Sequence, residues 1–162
     1  MLTRRQTVSI LISVAYGSIR AQDEKYAGPV PPKKDIPYLL LADKLVATEM
    51  ATASQSSEKN EDIFVVPGET SPARTPLAEP IFLLAAERLT PANLGLFRFE
   101  VTGGKRQITI SKKKGKGPRA YHTSVRTLAP NLFRIEAAEY LDIGEYSLSP
   151  EGENTAFCFT VF

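Results

Sequence analysis

Apolar and polar residues alternate with period two through much of the second half of the chain. Phe97, Phe99 and Val101 alternate with Arg98 and Glu100, Ile108 and Ile110 with Gln107 and Thr109, and Phe133 and Ile135 with Arg134 and Glu136. Successive side chains of a strand point to opposite faces, so this pattern predicts half-buried strands. Gly103-Gly104 separates the first two runs and accepts the positive φ of a tight hairpin turn. Upstream, residues 38–42, 45–53 and 63–66 read as strands, the last stopped by Pro67-Gly68. The polar residues 54–60 read as the loop of a hairpin joining the second and third of these. Residues 70–80 carry Pro72, Pro76 and Pro80 and predict an irregular connection or a sheet edge. Residues 81–89 read as a strand, although Leu83-Leu84-Ala85-Ala86-Glu87-Arg88 also fits a helix. Residues 112–119 form a loop, 121–127 a returning strand and 137–140 one helical turn. A turn at 150–154 leads to a last strand at 156–161.

Twelve prolines and ten glycines among 162 residues agree with many short elements, and the length suits one domain with a leader and a linker. The expected class is all-β.

Asp142-Ile143-Gly144-Glu145-Tyr146-Ser147-Leu148 resembles the entry to the penultimate strand of immunoglobulin-like domains. There a tyrosine hydroxyl bonds back to the backbone a few residues upstream and pins the crossover between sheets. The resemblance covers about 20 residues, and it lacks the two disulfide cysteines and the core tryptophan of antibody domains. It implies an immunoglobulin-like antiparallel β-sandwich, with Asp142, Gly144 and Tyr146 as its corner, and it implies no binding or catalytic residue. Phe162 ends the chain as outer-membrane barrel strands often end, but a barrel needs at least about eight longer strands.

The first residues have the order of a bacterial export signal. Arg4 and Arg5 precede a short apolar stretch at 8–16, and Ile19-Arg20-Ala21 offers a cleavage site. The expected organisation is a signal peptide at 1–21, an extended proline-rich linker at 22–35 and the sandwich at 36–162. Thr3-Arg4-Arg5-Gln6 partly resembles a twin-arginine signal, so both that route and the general secretory route stay open. The stretch is too short to span a bilayer, so no transmembrane span is expected in the mature chain. The implied address is the periplasm, the cell surface or the extracellular space.

Cleavage changes the electrostatics. The leader holds three of the 20 basic residues and none of the 18 acids, leaving 17 basic and 18 acidic residues, a net of −1. Between Val101 and Ile135 there is no acid, while Lys105, Arg106, Lys112, Lys113, Lys114, Lys116, Arg119, Arg126 and Arg134 give +9 against −10 for the remainder of the mature chain. Lys112, Lys113, Lys114, Lys116 and Arg119 are thus candidate anion-binding residues on a hairpin tip. Their partner would be an anionic envelope polymer, a lipid surface or an acidic protein face. The plainer reading is a solvated loop that protects an edge. Nucleic acid is disfavoured, because no aromatic residues interleave with the lysines to stack bases.

Candidate chemistry is sparse. His122 is the sole histidine and Cys158 the sole cysteine, so no ligand cluster at metal spacing and no internal disulfide is available. Cys158 reads as a small buried hydrophobe in Phe157-Cys158-Phe159. Glu136 and Glu139 are a carboxylate pair that sequence cannot bring together. No cofactor is implied. The function expected is a non-enzymatic binding or scaffolding module of the envelope. The alternative is a hydrolase, or an accessory domain of one, acting on cell-wall or extracellular polymer, and converging carboxylates in a cleft would favour it.

Overall fold

The computed structural model describes residues 25–113, Gly115 and residues 117–162. The expected signal peptide lies outside the described residues, as do Lys114 and Lys116.

The chain is all-β. Its strands are β1 (Tyr38–Leu41), β2 (Lys44–Ala47), β3 (Glu49–Thr52), β4 (Ser54–Glu58), β5 (Glu61–Pro67), β6 (Arg74–Thr75), β7 (Ile81–Ala85), β8 (Leu94–Arg98), β9 (Glu100–Thr102), β10 (Lys105–Ser111), β11 (Thr123–Ala129), β12 (Leu132–Ala137), β13 (Gly144–Pro150) and β14 (Thr155–Val161). One 3-10 turn, Pro91–Asn93, precedes β8. The strands form three sheets, with orders β11-β12-β7-β1-β2, β3-β14-β13-β8 and β4-β5-β10-β9. Among the described residues all strand pairings are antiparallel except that of the short β6 with β14.

The β3-β14-β13-β8 sheet is central and buries both faces. One face, carrying Leu94, Leu96, Tyr146, Leu148, Phe157, Phe159 and Val161, packs on Leu39, Phe82, Leu84 and Ile135 of the first sheet. Phe159 meets Phe82 edge-on at 5.0 Å and stacks on Tyr146 at 5.6 Å. The opposite face, with Ala156 and Cys158, meets Val66 and Ile108 of the third sheet, with Ala53 and Phe99 at the corners between them. This explains why β14 reads as a continuous apolar run rather than an alternation: it has no solvent face.

Two extended runs pass from sheet to sheet. Residues 44–58 contribute β2 to the first sheet, β3 to the second and β4 to the third, changing partner at Thr48 and Ala53. At the first change, Thr48 donates both its N–H (3.1 Å) and its hydroxyl (2.8 Å) to the Pro37 carbonyl. At the second, Ala53 N–H donates to the Asn154 carbonyl at 2.8 Å. Residues 94–102 likewise turn from β8 into β9 at Phe99, whose N–H donates to the Glu145 carbonyl at 2.8 Å. Each buried backbone donor at a corner thereby keeps a partner, which is what allows the chain to bend there.

Three local expectations are corrected. Residues 54–58 are not loop but the exposed strand β4, paired with β5 in full register from Ser54↔Val65 to Glu58↔Glu61. Their polar character reflects exposure at a sheet edge, not lack of structure. Residues 121–127 do not return along β10; β11 pairs with β12 in the first sheet. Residues 137–140 leave β12 through a bend, not a helical turn.

Candidate functional site

The second and third sheets diverge on one side. β10 pairs with β5 along its whole length but with β9 only over Lys105, Arg106 and Gln107. Beyond that point a gap opens between β10 and β8; on its β8 side the Tyr121 N–H donates to the Leu96 carbonyl at 2.8 Å. The gap is the mouth of a cavity of about 800 Å³, within the range of small-molecule sites.

Its floor is apolar: Phe64, Phe97, Phe99, Ile108, Ala53 and Ala156. Gly95 shapes one wall. A Cβ at that position would lie 2.5 Å from the Phe97 ring, so the missing side chain is what lets the ring lie over β8. Ser147 and Ser149 supply hydroxyls on the face of β13 that lines the cavity, 3.1 Å apart. At the rim, Arg119 pairs with both Glu139 oxygens at 2.7 Å, and the His122 N–H donates to the same carboxylate at 2.8 Å. The Arg119 hydrogen bond, followed by that N–H, holds the Glu139 carboxyl at about 2. The His122 ring is 76% exposed. Glu151 and Glu153 stand on the turn that closes the rim.

The seam on the other side of the same two sheets is closed by charge. Arg106, 1% exposed, grips Glu49 with two hydrogen bonds and donates to the Gly68 and Pro67 carbonyls at 3.1 and 3.0 Å. Glu145 lies 3.9 Å from its Nη1, and accepts from the Ser71 N–H at 2.9 Å and the Thr160 hydroxyl at 2.8 Å. Burial works against the Arg106 charge, but the Glu49 carboxylate outweighs it and raises the guanidinium pKa. The reciprocal hydrogen bond holds Glu49 below its ordinary value. Beside this cluster, burial pushes the Cys158 thiol up to about 12, which makes it a poor nucleophile.

Two of the described candidate anion-binding residues have ion-pair partners. Lys112 Nζ is 3.3 Å from Asp62, and Arg119 is committed to Glu139; Lys113 is exposed. Of the nine basic residues in the acid-free stretch, Arg106, Lys112, Arg119 and Arg134 each meet a carboxylate. Glu49 and Asp62, the partners of Arg106 and Lys112, come from strands far earlier in the chain, so packing sets acid against part of this basic stretch. Glu136 and Glu139 have separate partners, Arg134 and Arg119.

At the expected corner, the Tyr146 hydroxyl donates to the Asp142 carbonyl at 2.8 Å. Gly144 makes room for the Arg98 side chain, whose Nη2 donates to the Ile143 carbonyl at 3.0 Å. Burial pushes the Tyr146 phenol up to about 12.

Sequence reasoning missed both the cavity and the Arg106 cluster. The alternation of Phe97 and Phe99 marked an apolar face but not that the face fails to close. Among the described residues, no group of three or more His, Cys, Asp or Glu side chains is placed to hold a metal ion, and no helix is long and apolar enough to cross a membrane. No protein-family model, curated protein or solved structure matches the chain.

Proposed function

We propose that this protein is a non-enzymatic binding module, exported to the cell envelope, and that its binding site is the cavity between the second and third sheets. The observation that carries this reading is the apolar floor of Phe64, Phe97, Phe99 and Ile108 inside a cavity of about 800 Å³ with a polar rim. Burying an apolar ligand there gains roughly 25 cal/mol per Å² removed from water, enough for specific binding without a charged anchor. The hydrolase alternative draws no support from the carboxylates that do converge. Glu49 and Glu145 meet on buried Arg106, away from the cavity, and Glu139 is tied to Arg119 at the rim. Export rests on the order of charge and hydropathy in residues 1–21. The Tyr146–Asp142 hydrogen bond and the terminal β13–β14 hairpin support an immunoglobulin-like origin for this end of the chain.

The test is titration with N-phenyl-1-naphthylamine, a neutral dye that fluoresces in apolar surroundings. The expected result is saturable binding at one site, lost in an Ala53→Phe variant that fills the floor while keeping the parent's circular dichroism. Absence of saturable binding by the parent, or undiminished binding by a folded filled variant, overturns the reading.

A further inference from the structure

Two serine hydroxyls of β13 line the cavity. Ser147 is 0% exposed and faces the third sheet, with Phe97 and Cys158 as its cross-strand neighbours. Ser149 follows on the same face, opposite Gly95. The two Oγ atoms are 3.1 Å apart and share one hydrogen bond. Each hydroxyl carries one proton, so a pair joined by one bond keeps one proton over, whichever serine donates. Both serines line the cavity together with the apolar floor. Ser149 is only half-buried, so its hydroxyl is the one of the pair that a ligand in the cavity can reach, and a ligand oxygen there can accept from it.

The rim adds a sign. Arg119 and Glu139 neutralise one another, while Glu151 and Glu153 stand exposed beside the mouth. Among the described residues that line the cavity, these two acids are the charges left without an ion-pair partner, and they disfavour an anionic head group.

Resting on the binding function proposed above, we infer that the ligand is an uncharged amphiphile. Its hydrocarbon part lies on Phe64, Phe97 and Phe99, and its carbonyl or ester oxygen accepts a hydrogen bond from the Ser147–Ser149 pair. The serines orient the ligand; the aromatic floor supplies most of its affinity.

The test uses displacement of bound N-phenyl-1-naphthylamine by methyl decanoate, with decanoate and undecane as comparison compounds. In the parent, methyl decanoate should displace the dye at lower concentration than either. In the double variant Ser147→Ala, Ser149→Ala, methyl decanoate should weaken by about 3- to 10-fold, the loss of one hydrogen bond of ordinary net strength. Dye binding and displacement by undecane should stay as in the parent. Ser149→Thr, which keeps a hydroxyl, should retain most of the ester's advantage. If the dye does not bind the parent, the cavity reading itself fails. If the dye binds but the double variant leaves the ester's potency unchanged, the serine anchor is wrong while the cavity stands. Tighter binding of decanoate than of its methyl ester would overturn the assignment of an uncharged ligand.

Discussion

Arg106 and Glu49 join two sheets through a two-point contact, Nη1 to Oε2 at 2.7 Å and Nη2 to Oε1 at 3.0 Å, between residues 57 apart in the chain. The contact closes the seam where β3 and β5 are not hydrogen-bonded to each other. Removing the arginine would leave Glu49 and Glu145 facing one another without a cation. Arg106→Met should therefore destabilise the protein by on the order of 3–5 kcal/mol, as when one partner of a buried ion pair is deleted. Urea unfolding measures this. A double-mutant cycle with Glu49→Gln should give a coupling of about 0.5–3 kcal/mol. A loss below about 1 kcal/mol for Arg106→Met would mean the seam closes without it.

Tyr146→Phe keeps the ring between Phe159 and Tyr121 and deletes only the hydroxyl that donates to the Asp142 carbonyl. The expected cost is about 1–3 kcal/mol, including the partner left unsatisfied. Equal stability of the variant and the parent in urea would show that the bond contributes nothing.

Asp35 predicts an acid transition. Its Oδ1 accepts from the backbone N–H groups of Glu87, Arg88 and Leu89 at 2.9, 2.9 and 3.0 Å. Burial opposes the charge, but these donors and the Arg88 side chain outweigh it and lower the carboxyl from 3.8 to about 2. A depressed folded value means that the unfolded chain takes up the proton first as pH falls. The stabilisation is complete above 3.8 and is lost as pH falls toward about 2. Asp35→Asn should flatten the dependence of stability on pH in that window, read from unfolding curves at successive pH values. An unchanged slope would remove Asp35 from the acid response.

Cys158 gives a reporter of opening. Its thiol is fully buried and its pKa is pushed up to about 12, chiefly by that burial. Reaction with a thiol-specific disulfide reagent at pH 8 should be slow in the folded protein and should accelerate with urea in step with global unfolding. Rapid labelling without denaturant would show that the second and third sheets separate locally.

Much of the strand content was legible because alternation is a local property. Phe97, Phe99, Ile108 and Ile135 each declared an inward face from their neighbours alone, and the expected hairpin turn at Gly103-Gly104 has positive φ at both glycines. The bond at Tyr146 reaches back only four residues, short enough for a sequence pattern to specify. What alternation cannot say is which strand lies alongside. Residues 44–58 read as one strand and a loop, yet they serve three sheets, because the changes at Thr48 and Ala53 depend on partners at Pro37 and Asn154. The +9 stretch read as a basic region, yet packing set Glu49, Asp62 and Glu139 against it. The cavity belongs to neither β8 nor β10 but to the angle at which their sheets part. Local sterics and hydropathy thus determined the strands, their inward faces and the corner at Tyr146. Partner choice, charge neutralisation and the cavity were decided by tertiary structure, because each depends on contacts between residues far apart in the chain, which exist only once the sheets have assembled.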